Sequence, residues 1–239
     1  MIPKIIHYCW FGKGPKPKLA QKCIASWKKY CPNYQIIEWN EENFDVNQNE
    51  YTSFCYKNKL WAYLSDYARL KVVYDNGGIY FDTDVEVITS FDTLLGHNAF
   101  FGFENDNFIA SGLGFGAEKE HKVIKAMLEE YFQLNRNKDG TLQMIGCPAL
   151  NTQAIKKFGF ALNGKCQNIE GIQLLSKEYM NPYEDCTGKL KKTKNTYSIH
   201  WFAKSALSKK AKIRAFITRP FHRIFGVDCF YKIKKNIYK

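Results

Sequence analysis

Three carboxylates and an arginine stand close together in the chain with spacings that suit a divalent ion and a phosphate. Asp82-Thr83-Asp84 follows the apolar run Ile79-Tyr80-Phe81, and the pair Gly77-Gly78 precedes that run. Residues i and i+2 of a strand point to the same side, so a strand ending in this triplet presents two carboxylates together. Open α/β sheets bind their ligands beyond the carboxyl ends of strands. Mg2+ and Mn2+ take oxygen ligands and are shared between one or two carboxylates and substrate phosphates. The chemistry that fits is a metal-bridged diphosphate, as in a nucleotide-sugar. An isolated Asp-x-Asp also occurs at solvated strand ends, so the neighbouring residues must decide.

Upstream, residues 60–74 read as a helix whose buried stripe is Tyr63, Tyr67, Leu70 and Tyr74, recurring every three or four positions. Asp66 and Arg69 are three apart and share a face. As a surface ion pair they would contribute only a few tenths of a kcal/mol. Facing the cleft opened by Gly77-Gly78, Asp66 would instead accept from sugar hydroxyls while Arg69 placed positive charge near sugar or phosphate.

Ser65-Asp66-Tyr67-Ala68-Arg69 followed by Gly77-Gly78-Ile79-Tyr80-Phe81-Asp82-Thr83-Asp84 resembles the signature of glycosyltransferase family 32, the enzymes with a DXD-containing sugar-binding region. That family includes bacterial capsular-polysaccharide enzymes and fungal mannosyltransferases. The opening run 2–12, the stretch Ser111–Ala117 and the stretch Asn195–His200 are similar to it as well, so the resemblance spans roughly residues 1–205. It implies an α/β fold of GT-A type with a mostly parallel Rossmann-like sheet, a divalent metal (Mn2+ or Mg2+), a nucleotide-sugar donor and retention of anomeric configuration. It implies UDP rather than GDP as the donor nucleotide.

Tyr8 and Trp10 close the first strand, where a base would lie, and related clostridial toxins use the tryptophan of a similar strand against uracil. Trp10 is therefore the base-stacking candidate, with Tyr8 and Tyr80 beside it in the donor-binding set. His200 follows the β-like stretch 196–199. A lone histidine there is by default structural, yet a metal site built on Asp82 and Asp84 needs a ligand from elsewhere, and imidazole is a common one. The family usually carries two histidines and then a Ser-Trp pair. This chain has His200-Trp201 and Ser205-Ala206, which leaves Ser205 as a secondary donor contact. For retention, the nucleophile candidates are Glu104 and Asp106, against front-face attack steered by the leaving diphosphate.

The elements that must position these residues alternate. Strands are expected over 4–10, 34–39, 100–103 and 113–115, with helices over 19–30 and 121–132, an order that argues for a mostly parallel sheet. At 239 residues the chain has room for one α/β domain over 1–205 and a tail over 206–239. No run of about 20 apolar residues is present, and Lys4 and His7 break the only apolar start, so no secretory signal is expected. Family members of the Golgi carry an anchor before their first strand; a cytoplasmic bacterial enzyme is the expectation here. The eight cysteines show no zinc-ligand spacing, and free, mostly buried thiols are expected.

The net charge of +12 is concentrated in the tail, where residues 203–239 carry 11 Lys and Arg and one acid. Ile213, Phe216, Ile217, Phe221, Ile224 and Phe225 fall at helical spacing there, with most cations off the stripe and Pro220 placed to open a second helix. A basic amphipathic segment reads as binding an anionic membrane surface, or else as a helix packed on its own domain. The expected acceptor is a glycan or a lipid-linked oligosaccharide in surface polysaccharide synthesis, at the inner face of the cell membrane. The competing readings are a nucleotidyltransferase and a basic polyanion- or nucleic-acid-binding protein. Carboxylates focused at one cleft repel phosphate unless a cation intervenes, which disfavours nucleic acid. The only Gly-rich turn near the first strand, Phe11-Gly12-Lys13-Gly14, is a faint phosphate loop.

Overall fold

A computed structural model describes residues 1–204, 208–227 and 229. The first half alternates as expected: β1 (Ile5–Cys9), α1 (Lys18–Tyr30), β2 (Gln35–Trp39), α2 (Glu50–Lys57), α3 (Trp61–Asn76), β3 (Gly78–Tyr80) and β4 (Val85–Val87). There follow β5 (Ala99–Asn105), β6 (Phe108–Ile109), β7 (Phe115–Ala117), α4 (Lys122–Phe132) and α5 (Cys147–Lys156). The last stretch contains β8 (Gln167–Ile169), β9 (Ile172–Leu175), α6 (Lys177–Met180), β10 (Tyr183–Glu184), β11 (Lys189–Leu190), β12 (Ser198–His200) and α7 (Lys209–Phe225).

The main sheet has the order β2-β1-β3-β7-β5-β9-β8, with β6 paired to β5. Pairings β1–β2, β1–β3 and β5–β9 are parallel, whereas β7 runs against both β3 and β5 and β8 runs against β9. Five strands (β1, β2, β3, β5 and β9) therefore share one direction, and their carboxyl ends lie along one edge. The sheet is mixed but mostly parallel.

Each face of the sheet carries its own core. Ile6, Tyr8, Ile79 and Phe81 pack with Cys23 and Trp27 of α1, whose buried positions 20, 23 and 27 follow the helical period. Tyr80, Phe101, Phe103 and Phe115 pack on the other face against α2–α5. The alternation of side chains along β1 and β3 divides these two sets. Helix α3 is buried more broadly than a single stripe: Leu64, Ala68, Arg69, Val72 and Val73 are enclosed along with Tyr67 and Leu70. Between sheet and helices it has little surface to spare.

The Gly77-Gly78 pair lets α3 turn directly into β3. Gly77, just past the helix, has φ 68°, and Gly78 has φ 106°, values that side chains with a Cβ rarely adopt. A Cβ on Gly78 would lie 2.8 Å from the Ile5 carbonyl oxygen and 3.0 Å from His7 Nε2. The expected strand over 113–115 is displaced: Ser111–Leu113 forms a 3-10 turn, and Gly114, at φ 108°, leads into β7. All eight cysteines are free, six of them buried.

The tail folds as one helix through Pro220 rather than as two. Its Arg219 binds Asp185 at 2.9 Å, and Arg223 donates to the Thr187 carbonyl at 2.8 Å, so the helix docks on the β10–β11 hairpin through its arginines. Ile213, Phe216, Ile217, Ile224 and Phe225 are left exposed. Ser205 and Ala206 lie outside the described residues, as do 230–239.

Candidate active site

Phe81 leaves the sheet immediately after β3, and Asp82-Thr83-Asp84 forms a turn closed by the Val85 N–H donating to the Asp82 carbonyl at 3.0 Å. The triplet is thus a turn joining β3 to β4, and strand alternation does not pair its carboxylates. Alternation does act one step earlier, placing Asp82 on the side of Tyr80, whose hydroxyl donates to Asp82 Oδ1 at 2.9 Å. The turn then directs Asp84 towards a different partner.

That partner comes from 116 positions further on. β12 pairs antiparallel with β4 in a register that sets His200 opposite Val85. His200 Nε2 lies 3.2 Å from Asp84 Oδ1, the Ala203 N–H donates to Asp84 Oδ2 at 2.7 Å, and Trp201 N–H donates to the Asp84 carbonyl at 3.0 Å. One ligand atom from each of Asp82, Asp84 and His200 falls within 4.8 Å of the others, the only such His/Cys/Asp/Glu grouping among the described residues. His200 Nδ1 is buried and without a hydrogen-bond partner.

The electrostatics of this cluster favour a cation. Burial pushes the Asp82 carboxyl up to about 6, opposed by Arg69 and assisted by Asp84. Burial works against charge on Asp84 too, but His200 and the Ala203 N–H outweigh it and hold that carboxyl below its usual range. The His200 ring is drawn the other way: burial disfavours its charge, yet Asp84, Asp82 and Glu104 raise its pKa. Two carboxylates and an imidazole, converging and attracting positive charge, suit a divalent ion such as Mn2+.

Arg69 joins this cluster to α3. Its Nη2 is 2.8 Å from Asp66 and 3.0 Å from Asp82, and its ring-stacked position over Tyr80 is 5.2 Å from the centroid. Arg69 is only 3% exposed, so this is a buried triad and not the surface pair the spacing allowed. Burial raises the Asp66 carboxyl, against the pull of Arg69 and of the Cys147 backbone N–H at the start of α5. The first turn of a helix is a favourable place for a carboxylate. Burial also disfavours the Arg69 charge, but Asp82 and Asp66 more than restore it.

A cavity of about 350 Å³ opens beside the triad, lined by Trp10, Gly12, Trp61, Arg69, Tyr80, Asp82 and Asp84 among others. Trp10, Tyr80, Arg69, Asp82 and Asp84 are thus brought together as expected. Tyr8 is not: it points to the opposite face of the sheet, packs edge-on against Trp27, and gives its hydroxyl to Glu38. Asp66 stands behind Arg69 rather than on the cavity wall. Of the two nucleophile candidates, Glu104 lies within electrostatic reach of His200, while Asp106 is in the β5–β6 turn against Gly164.

Several contributors carried no strong signal of their own. Gly112 approaches so closely that a Cβ there would sit 2.7 Å from Asp82 Oδ2 and 3.1 Å from Arg69 Nη1. Ser111 Oγ lies 3.4 Å from Arg69 Nη1. Trp61, which also lines the cavity, reads in sequence as a helix-start aromatic; its nearness to Gly12 is the clue, since a Cβ on Gly12 would meet the indole at 2.8 Å.

Comparison with known proteins agrees with this geometry. Residues 17–101 match the family model described as the glycosyltransferase sugar-binding region containing a DXD motif. An uncharacterized glycosyltransferase of Acanthamoeba polyphaga mimivirus is 25% identical over 193 residues, 76% of this chain and 74% of its own length. The inositol phosphoceramide mannosyltransferase 3 of Schizosaccharomyces pombe is 27% identical over 131 residues, covering 52% of this chain but only 35% of that protein. Among solved structures, the PaToxG glycosyltransferase is 21% identical with a TM-score of 0.47, over 65% of this chain and 68% of that one. The matching sugar-binding region and the two relatives make the chain similar to glycosyltransferases with a DXD-containing region.

Proposed function

We propose that this glycosyltransferase is a Mn2+- or Mg2+-dependent, retaining hexosyltransferase that takes its sugar from a UDP-sugar. The observation that carries the reading is the convergence of Asp82, Asp84 and His200 at the mouth of a cavity that holds Trp10 and Arg69. Asp84 and His200 would hold the ion, with Asp82 as the further ligand, and when bound it supplies Lewis-acid stabilisation of the leaving diphosphate. Trp10 offers its face to the base, with Trp61 lining the same cavity, and aromatic stacking of a base contributes about 1–3 kcal/mol in nucleic-acid complexes. Arg69 presents a fixed positive charge at the cavity wall, where it meets sugar or phosphate. Asp66 holds Arg69 in that place, and Tyr80 orients Asp82 through its hydroxyl.

The acceptor in this reading is a glycan or lipid-linked oligosaccharide of surface polysaccharide synthesis, and the enzyme acts in the cytoplasm, bound peripherally to the inner membrane face. Residues 206–239 form a tail distinct from the catalytic domain over 1–205. What supports the membrane contact is the orientation of α7, whose arginines meet the domain while Ile213 (60% exposed), Phe216 (71%) and Ile224 (72%) face outward. Among the described residues no helix is long and apolar enough to cross a membrane, so a surface contact is the form the proposal takes.

The experiment is a donor screen with the intact chain: UDP- and GDP-sugars with Mn2+, reading released nucleoside diphosphate. Turnover of at least one UDP-sugar, abolished by EDTA and restored by Mn2+, is expected. Turnover untouched by EDTA would remove the metal from the mechanism.

A further inference from the structure

A second cavity, of about 640 Å³, lies on the other side of the segment that follows His200. Ala203 lines the cavity beside the triad, whereas its neighbour Phe202 lines this one, with its ring against that of His200 at 4.2 Å. The remaining walls include Glu104, Asn181, Tyr183, Lys191 and Thr193, with Val227 of the tail at the rim. Glu104 stands near the carboxyl end of β5, and α6 and its flank follow β9. This cavity therefore occupies the same ligand-binding edge of the sheet as Asp82 and Trp10.

Its chemistry asks for a hydroxyl donor beside an apolar body. Asn181, a lining residue of the cavity, is more than nine-tenths buried; its Nδ2 donates to the Glu104 carbonyl at 2.9 Å, and its buried Oδ1 has no partner. A buried acceptor left unsatisfied is unfavourable, and a bound hydroxyl would satisfy it. Tyr183 and Phe202 supply the aromatic surface that the apolar face of a sugar ring or an aglycone covers. Lys191 and Thr193 are exposed at the mouth.

We propose that this cavity binds the acceptor, a glycoside whose hydroxyl is received by Asn181 Oδ1 beside Glu104, across the His200–Ala203 segment from the donor. The inference rests on the transferase reading and adds to it the place and the chemical character of the second substrate. It also sets the tail helix next to the acceptor entrance, since Asp185, another residue of that wall, binds both Arg219 of α7 and Lys204.

The test is saturation-transfer NMR on the whole chain with Mg2+ present, before and after UDP is added, using the p-nitrophenyl α- and β-glycosides of glucose, galactose and mannose as probes. At least one glycoside should receive saturation. Lys191→Trp and Thr193→Trp, which place an indole in the mouth, should weaken that glycoside by about tenfold or more, as should Asn181→Leu. Asn181→Asp, which keeps the acceptor atom, should bind it better than Asn181→Leu does. Each variant is first compared with the parent chain by thermal melting, and the two mouth substitutions carry the result if Asn181→Leu does not fold. No saturation of any probe by the intact chain, or undiminished saturation in both mouth variants, overturns the proposal. So does displacement of the probe by added UDP, which would give the cavity to the donor. Failure of UDP and Mg2+ to bind would instead sink the donor-site reading, and the probe signal would still judge this cavity.

Discussion

The guanidinium of Arg69 stands between Asp66 and Asp82, 2.8 Å from the first and 3.0 Å from the second. One buried cation thereby joins the helix motif to the DXD turn, and its removal leaves Asp66 and the partly exposed Asp82 without their counter-charge. Breaking such a buried arrangement costs about 3–5 kcal/mol. Arg69→Ala should therefore lower stability by that order as well as impair transfer, measured by chemical denaturation and by donor turnover. A stability loss under about 1 kcal/mol, the range of exposed pairs, would contradict the burial described here.

Mn2+ affinity should rise as pH increases through about 6 and on past the ordinary histidine range. Asp82 titrates near 6 and His200 holds its proton above the usual histidine value, so below these points protons compete with the ion for the same atoms. Calorimetric titration of Mn2+ into the intact chain at several pH values reads this directly. Asp84→Asn should weaken the ion more than Asp66→Asn does. Affinity that is flat across this pH range would speak against the Asp82–Asp84–His200 cluster as the site.

His7 should set an acid limit on stability. It is fully buried, its Nδ1 receives the Trp39 indole N–H at 3.0 Å, and its Nε2 lies 2.8 Å from the Gly77 carbonyl. Only the neutral ring with its proton on Nε2 satisfies both contacts. Burial lowers its pKa from 6.5 to about 4. The unfolded chain then binds a proton that the folded one refuses, so stability is intact above 6.5 and falls as pH drops from there to 4. The full loss is on the order of 3 kcal/mol. Urea denaturation across this range should show a shallower decline in His7→Gln than in the parent, and equal slopes would reject the assignment.

Gly112→Ala should disturb the site more than the fold. The added methyl must displace Asp82 Oδ2 or Arg69 Nη1, and both belong to the donor cavity. Turnover should fall by about a hundredfold, as expected for misplacement on the scale of 1 Å, with a melting temperature close to that of the parent. Unchanged turnover would show that the turn carrying Gly112 yields without moving Asp82.

The tail prediction concerns vesicles. The intact chain should sediment with anionic vesicles at low salt and release as salt rises, since screening acts over about 8–10 Å at physiological ionic strength. Phe216→Ser with Ile224→Ser should weaken this binding without altering the melt, because both side chains are exposed. A parent chain that remains in the supernatant at low salt would end the membrane proposal.

What the sequence by itself determined is local and periodic. The helix over α3, the glycine turn after it, the strands flanking α1 and the free cysteines follow from spacing and residue type, and the Asp66, Arg69, Asp82 and Asp84 set was legible with them. Tertiary structure alone decided how these residues meet. β4 and β12 are three residues each, too short to show a period, yet their register brings His200 to Asp84. Gly112 looks like any turn glycine until the folded 3-10 turn that carries it lies against Asp82 and Arg69. The Asp66–Arg69 spacing is the same for a surface pair and for a buried triad; enclosure by α5 and the 3-10 turn makes it the latter. In the tail the apolar stripe was plain, but the side on which it lies was settled by Asp185 and the Thr187 carbonyl, which engage the arginines and leave the stripe facing outward. Contacts within a few turns of chain are written in nearest neighbours, whereas a site assembled from residues 10, 69, 82, 112 and 200 depends on pairings that close long loops and leave little local trace.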